Sequence, residues 1–217
     1  MSMELGGNAP FLVMADADLD AAVEGAMLAK MRNMGQACTA ANRFLVHEGL
    51  ADDFTRRLAD RMSGLRVGRG TDPDVQVGPL VDEAFPDKVA SLVQDAVHID
   101  ARVLTGGEAV GSHGWFYVLT VLSDMPLDAG LLEEQIFGPV APIVRFSSAD
   151  EAIQRANDSP YGLVAYAYTR DMSMALRLAE EPDTGMVGII RGVVSNPAAP
   201  FGGAKHGSVA KAALKAR

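Results

Sequence analysis

The chain has 217 residues, 48% of them hydrophobic and 22% charged, which is typical of a globular protein with one substantial core. The formal net charge of −9 disfavours nucleic acid and anionic membrane surfaces as partners, and no basic cluster offsets it. The apolar runs are far shorter than the ~20 residues that cross a bilayer, and the single cysteine excludes an intrachain disulfide and suits the reducing cytoplasm.

The first half of the chain alternates apolar runs with helical patterns. Residues 9–14 predict a short buried strand, and Asp16 and Asp18 then supply capping carboxylates for a helix expected to run to about Asn33. The other elements predicted in this half are a strand at 44–46, a helix at 51–62, a loop at 67–79, a helix at 82–97 and a strand at 102–104.

The second half continues the alternation and settles the predicted fold class. Its elements are an extended segment at 115–122, a strand at 140–146, a helix at 148–157, a strand at 163–168, a helix at 172–180 and a strand at 186–190. Strands alternating with helices predict a layered α/β fold with a mainly parallel sheet and flanking helices. We expect one domain over residues 1–209 and a basic C-terminal tail over 210–217.

The stretch Gly35–Thr39 carries the single cysteine, Cys38, between the first long helix and the second strand. Gly35 follows the last helix-periodic residues, where a helix often ends in a left-handed turn. Cys38 is therefore predicted to lie on a tight turn, where a nucleophile is held firmly and can still be reached. A lone cysteine is also commonly a small buried hydrophobe, and from these residues alone both interpretations stay open.

Five motifs occur in the order seen in aldehyde dehydrogenases. They are Met3-Glu4-Leu5-Gly6-Gly7-Asn8, Gly35-Gln36-Ala37-Cys38, Phe137-Gly138-Pro139-Val140, Ser159-Pro160-Tyr161-Gly162-Leu163 and Pro200-Phe201-Gly202-Gly203. Over nearly its whole length the chain resembles the catalytic domain of that family. Within the family, Arg32–Gln36 and Ser195-Asn196 are most similar to succinate-semialdehyde dehydrogenases.

The resemblance implies a small aldehyde substrate, NAD or NADP as cofactor, and homo-oligomers for the full-length enzymes. The family's dinucleotide-binding half would lie upstream of Glu4, and the chain has no Gly-x-Gly-x-x-Gly stretch. The start at Met1 reads as the middle of a domain with an artificial beginning. We therefore expect the isolated chain to be a catalytic domain without the cofactor half, inactive for hydride transfer.

The resemblance also assigns the reacting groups. Cys38 corresponds to the nucleophile, because a thiolate attacks an aldehyde readily and leaves again when water attacks the thioester. Glu4 corresponds to the general base, a role that an apolar setting favours by raising a carboxyl pKa. The Cys38 backbone N–H would form part of the oxyanion hole. Taken by itself, Glu4 could equally be a solvated or capping carboxylate.

Substrate and cofactor contacts are implied in the same way. Arg32 and Ser195 correspond to positions that grip the distal carboxylate of succinate semialdehyde, and Phe201 to the substrate entrance. Gln135 and Phe137 correspond to positions that contact the cofactor. A surface arginine, a loop-capping serine and a core phenylalanine are the alternatives for Arg32, Ser195 and Phe201.

The chain also departs from the family pattern. Gln135 stands where the family has a glutamate that holds the cofactor ribose, so that hydrogen bonding is kept but a charge is lost. Glu134 could substitute if the loop shifted by one residue. Ile190-Arg191 and the segment 205–210 differ from the family's usual residues. The four histidines, His47, His98, His113 and His206, show no metal-ligand spacing, and we expect no metal.

Three functions follow from these observations. The first is part of an aldehyde-oxidising enzyme. The second is a cofactor-independent thiol esterase or acyl-transferase, since Cys38 and Glu4 could form and hydrolyse a thioester without nicotinamide. The third is an inactive interaction or assembly module, which the altered position at Gln135 favours. The reactivity of Cys38 distinguishes the third from the other two.

Overall fold

The computed structural model describes residues 5–111 and 114–206 of the chain. Its strands are β1 (Ala9–Val13), β2 (Ala41–His47), β3 (Arg102–Thr105), β4 (Ala109–Val110), β5 (Phe116–Tyr117), β6 (Thr120–Ser123), β7 (Val140–Phe146), β8 (Tyr161–Gly162), β9 (Val164–Tyr168), β10 (Met186–Ile189) and β11 (Ala204–Lys205). Its helices are α1 (Leu19–Met31), α2 (Glu48–Ser63), α3 (Ala84–His98), α4 (Gly130–Glu133), α5 (Ala149–Asn157) and α6 (Met172–Glu180), and a short 3-10 turn spans Arg32–Gly35.

A seven-stranded sheet forms the centre, in the order β10-β9-β1-β2-β7-β6-β3. All neighbouring pairs are parallel except β3 and β6, which run antiparallel at one edge. Two small antiparallel ribbons, β11-β8 and β4-β5, lie outside it. The predicted fold class, a layered α/β fold with a mainly parallel sheet, is confirmed.

Side chains of the central strands alternate between two apolar layers. Phe11 and Val13 of β1 face the layer formed by α1 and α2, whereas Leu12 faces the layer formed by the other four helices. The same alternation holds in β2 for Phe44 and Leu45. Because both faces of a parallel sheet are covered, its strands read as continuous apolar runs rather than as alternating ones.

Side chains cap the beginnings of α1 and α5. Of the two carboxylates predicted to cap α1, only Asp18 does so, because Asp16 instead accepts hydrogen bonds from the Thr169 hydroxyl and from the backbone N–H groups after it. The Asp18 side chain accepts a hydrogen bond from the backbone N–H of Ala21 at 3.1 Å and starts α1. Ser148 caps α5, with Asp150 and Glu151 in its first turn. Such caps satisfy helix N–H groups that have no partner within the helix. None of the helices in the described residues combines the length and apolar character needed to cross a membrane.

Two predicted elements are corrected. The segment 115–122 is not one extended run, because β5 and β6 belong to different sheets and residues 118–119 separate them. The helix predicted to run to Asn33 ends at Met31, since the backbone of Asn33 turns left-handed, with φ of 53°. The C-terminal tail predicted at 210–217 lies outside the described residues.

Candidate active site

The residues singled out by the sequence motifs meet at the amino ends of the parallel strands. Gly6 and Gly7 directly precede β1, Cys38 precedes β2, and Phe137 precedes β7. Because β1, β2 and β7 are neighbouring parallel strands, their amino ends lie along one edge of the sheet. In most open α/β sheets the ligand site lies at the opposite, carboxyl edge.

Cys38 is held by an unusually strained turn. Asn33, Met34 and Gly35 follow α1 with φ values of 53°, 57° and 75°, all in the left-handed region. Glycine adopts this region without steric cost and asparagine tolerates it, so Met34 carries most of the strain in this turn. The left-handed Gly35 expected from the sequence is confirmed, and its two left-handed neighbours were not expected.

Hydrogen bonds from outside the turn hold it on both sides of Cys38. The Gln36 side-chain oxygen accepts a hydrogen bond from the backbone N–H of Val81 at 2.9 Å. The Tyr166 hydroxyl donates to the carbonyl oxygen of Thr39 at 2.8 Å. Burial raises the pKa of Tyr166 to about 12, so this hydroxyl keeps its proton at neutral pH. Cys38 itself is half-buried and packs against the apolar layer of α1 and α2.

The glycine turn before β1 packs directly against Cys38. A Cβ added to Gly7 would lie 1.9 Å from the carbonyl oxygen of Cys38 and 3.0 Å from its carbonyl carbon. Both contacts are to backbone, which cannot move aside as a flexible side chain can. Glycine is therefore needed at position 7 for the two turns to meet.

Gly7→Ala is expected to slow alkylation of Cys38 by about tenfold or more, the effect of roughly 1.4 kcal/mol in the barrier, because the turn must shift. The measurement is the rate of iodoacetamide addition, followed by mass. Gly70→Ala is the matched control, since a Cβ there meets nothing within 4 Å. An unchanged rate in the folded Gly7→Ala variant would show that the contact does not position the thiol.

Gln135 and Phe137 lie beside the same glycine turn. The Gln135 side-chain oxygen would be 2.9 Å from a Cβ added to Gly6, so the amide covers Gly6 closely. Lys88 of α3 donates to the Gln135 carbonyl oxygen at 2.9 Å, and its Nζ lies 4.0 Å from a carboxylate oxygen of the exposed Glu134. The Phe137 ring is half-buried and packs 5.6 Å, centroid to centroid, from Phe85.

These residues fit one side of a nicotinamide nucleotide. The Gln135 amide offers both a donor and an acceptor, which suits ribose hydroxyls, and the Phe137 ring offers an apolar face. The next residue, Gly138, packs against the cysteine turn: a Cβ on Gly35 would lie 2.3 Å from its carbonyl oxygen. A cofactor held by Gln135 and Phe137 would therefore border the Cys38 turn.

The three predicted substrate-binding residues lie close to the surface. Arg32 and Ser195 are exposed, and the Arg32 guanidinium makes no hydrogen bond or ion pair with the described residues. Arg32 and Cys38 both act electrostatically on Tyr166, Arg32 lowering its pKa and Cys38 raising it. Phe201 is half-buried against the apolar layer that contains Tyr166. Within the part of the chain that the structure describes, no hydrogen bond joins Arg32 to Ser195.

Glu4, predicted as the general base, lies outside the described residues, as does His113. His47 caps α2, its Nδ1 accepting from the backbone N–H of Gly49 at 3.2 Å, and its ring packs edge-on against Phe146. His47 therefore has a structural role at the start of α2.

Sequence reasoning missed an arginine that anchors the glycine turn. The buried guanidinium of Arg43, in β2, donates to the carbonyl oxygens of Asn8 at 3.3 Å, Arg155 at 2.8 Å and Ala156 at 3.0 Å. Asn8 in turn donates through its amide to the Leu132 carbonyl at 2.7 Å. The turn before β1 is thus tied to the end of α5 and to α4. A charged residue within an apolar strand run was the only available signal.

A cavity of 670 Å³ lies on the side of the sheet away from α1 and α2. Its walls include Arg43 and Leu45 of β2, Val144 of β7 and Arg155 of α5. Among the residues that the structure describes, none of those predicted for catalysis, substrate or cofactor lines it. The cavity therefore gives no independent support to the cysteine site.

Known proteins are similar to this chain over nearly its whole length. The family model described as aldehyde dehydrogenase family matches residues 1–216. A succinate-semialdehyde dehydrogenase from Paenarthrobacter nicotinovorans is 56% identical over 97% of this chain and 47% of its own length. An NADP(+) succinate-semialdehyde dehydrogenase from Escherichia coli K12 is 46% identical over 99% of this chain and 45% of its own length.

A solved structure supports the same relationship. The succinate-semialdehyde dehydrogenase from Burkholderia pseudomallei superimposes with a TM-score of 0.93 and 48% identity, over 95% of this chain and 43% of that one. The chain spans less than half the length of the curated relatives it matches.

Proposed function

The chain belongs to the aldehyde dehydrogenase family, and on that premise we propose that it carries the catalytic half of an enzyme that oxidises succinate semialdehyde to succinate. The observation that carries this proposal is the fixed, half-buried Cys38 turn at the edge where the family's motifs meet. A nucleophile must be rigidly oriented and yet open to a small substrate. The two relatives described above are succinate-semialdehyde dehydrogenases, which supports succinate semialdehyde as the substrate.

In the proposed reaction, the sulfur of Cys38 bonds to the aldehyde carbon and forms a tetrahedral thiohemiacetal. NAD or NADP, when bound, supplies the acceptor for the hydride that leaves this carbon. Water then attacks the resulting thioester, the carbon–sulfur bond breaks, the acid is released, and the Cys38 sulfur takes up a proton to regenerate the thiol. Glu4 is proposed to take the proton from that water. The strained turn keeps the sulfur in one place through both attacks.

Arg32 is proposed to recognise the carboxylate at the far end of the substrate. Its guanidinium has no partner among the described side chains, so it is available for a bidentate pair with an anion. Ser195 would add a hydroxyl, and Phe201 an apolar wall. Gln135 and Phe137 are proposed to contact the cofactor ribose and nicotinamide side. Homo-oligomeric assembly, a cytoplasmic location and the inactivity of the isolated chain in hydride transfer stay predictions.

The test is alkylation of Cys38 by iodoacetamide near neutral pH, in the folded chain and in the same chain unfolded in urea. We expect the folded chain to react faster than the unfolded chain, because an activated site raises the reactive thiolate fraction. Glu4→Gln is expected to reduce that advantage. Cys38→Ser is the blank, since the chain has no other cysteine.

A folded chain whose thiol reacts no faster than the unfolded one would overturn the proposal and favour the inactive assembly module. A fast thiol that also hydrolyses an activated ester, with no response to added NAD or NADP, would favour the thiol esterase. The readouts thus separate the three functions that the sequence left open.

A further inference from the structure

Lys30, in the last turn of α1, has an unusual environment for a lysine. Its side chain is fully buried, and its Nζ donates to the Asn42 side-chain oxygen at 2.8 Å. No carboxylate among the described residues pairs with it. Asn42 is also fully buried, and its amide nitrogen has no hydrogen-bond partner among the residues that the structure describes. A buried ammonium with a single neutral partner is costly, and such groups are uncommon unless they have a role.

The position of this pair relates it to the cysteine turn. Lys30 and Asn42 are 12 residues apart, and Cys38 lies on the segment between them. The hydrogen bond from Nζ to Asn42 Oδ1 therefore joins the last turn of α1 to the start of β2, on either side of the segment that carries Cys38. The Lys30 side chain also supports the turn directly, because its Cε would lie 3.1 Å from a Cβ added to Gly35.

We propose that Lys30 is a positioning residue for Cys38, its buried hydrogen bond to Asn42 closing the segment that carries the nucleophile and holding the left-handed turn in place. The inference rests on the proposed function, since it concerns the same cysteine. Lys30 does not touch the reacting atoms and acts through the turn. Asn42 accepts the hydrogen bond, and this Lys30–Asn42 hydrogen bond is called the tie.

The tie explains why strain persists next to the thiol. Three left-handed residues in a row are unfavourable for a free chain and need surrounding contacts that over-determine them. Asn33 and Gln36 supply local hydrogen bonds within the turn. Lys30 supplies the longer-range one. Burial lowers the pKa of Lys30 to about 7, and both the charged and the neutral amine keep an N–H for Asn42.

The experiment is a double-mutant cycle on the thiol. Lys30→Met, Asn42→Leu and the double variant are compared with the wild-type chain by the iodoacetamide rate across pH, at temperatures where thermal melts show all four folded. Met62→Ala serves as the control for general loss of packing, because Met62 is buried in the same apolar layer on α2.

We expect each single variant to slow alkylation by at least about threefold or to move its pH midpoint. A threefold change in rate lies within the range of coupling energies between contacting residues. The double variant should be no slower than the singles, since both remove one tie. Met62→Ala should leave the rate unchanged.

Rates unchanged in both single variants, or effects that add in the double variant, would overturn the positioning role. If Lys30→Met does not fold, Asn42→Leu alone decides, because it leaves the lysine stem in place. A wild-type thiol that is unreactive from the start would instead contradict the proposed function, so the two failures are distinguishable.

Discussion

Phe11→Ala is expected to lower the free energy of unfolding by about 3–5 kcal/mol, the cost typical of deleting a buried aromatic ring. Phe11 is fully buried in β1, an interior strand of the main sheet that pairs with β9 and β2. Its ring lies 5.3 Å from that of Phe44 and 5.0 Å from that of Tyr168, centroid to centroid. Alanine would leave a cavity among rings that cannot all collapse into it.

The loss is measured by urea unfolding followed by circular dichroism. Leu176→Ala is the matched control, since Leu176 is 59% exposed on α6 and its truncation is expected to change stability by less than about 0.5 kcal/mol. Phe11→Leu should fall between the two. A loss below about 1 kcal/mol for Phe11→Ala would mean that this aromatic cluster does not anchor the sheet.

The fold class could be predicted because its signals are local. Apolar runs such as 140–146 stand out between turn residues, and the capping pattern at Ser148 begins the following helix. The split of residues 115–122 into β5 and β6 could not be predicted. It depends on which partner each strand meets: β5 pairs with β4, whereas β6 pairs with β3 and β7.

The nucleophile turn could be predicted only in part. Gly35 indicated that the first long helix ends in a left-handed turn, and Cys38 indicated a candidate nucleophile. The contact between Gly7 and Cys38 joins residues far apart in sequence, and one glycine pair looks like another before the strands are placed side by side. The motif showed that the glycine turn matters. It did not show that a Cβ on Gly7 would collide with the Cys38 backbone.

Buried charges were the least visible feature. Lys30 and Arg43 lie among apolar residues in the sequence, where a charged residue usually indicates a solvent-facing position. Here both side chains turn inward because buried oxygens accept their hydrogen bonds. The Asn42 side-chain oxygen accepts from Lys30, and the Asn8 carbonyl oxygen, among others, accepts from Arg43. Partners of this kind are set by tertiary packing and leave no periodic signal.

Lys30 leads to the second large prediction, a pH-dependent stability difference. Burial lowers its pKa from 10.5 to about 7 in the folded chain, whereas the unfolded chain keeps the ordinary value. Between these two values the unfolded chain binds a proton that the folded chain does not. Stability contributed by this group therefore rises with pH, from a minimum at and below about pH 7.

Lys30→Met removes this dependence. The free energy of unfolding of Lys30→Met, minus that of the wild type, is expected to fall by roughly 1.4 kcal/mol per pH unit above the folded pKa, and by about 4 kcal/mol in all by pH 10. The loss of the hydrogen bond to Asn42 shifts this difference by a constant and leaves its slope unchanged. Tyr117, Tyr166 and Tyr168, whose pKa values burial raises to about 12, act alike in both chains and cancel in the difference.

The measurement is urea unfolding of both chains at intervals from pH 6 to pH 10, read as a difference at each pH. Lys88→Met is the matched control, because the Lys88 side chain is 42% exposed and its ammonium meets water in both states. Its difference from the wild type should stay flat. A flat difference for Lys30→Met as well would mean that water reaches the amine in the folded chain. The buried tie to Asn42 would then be a hydrated contact, too weak to hold the turn at Cys38.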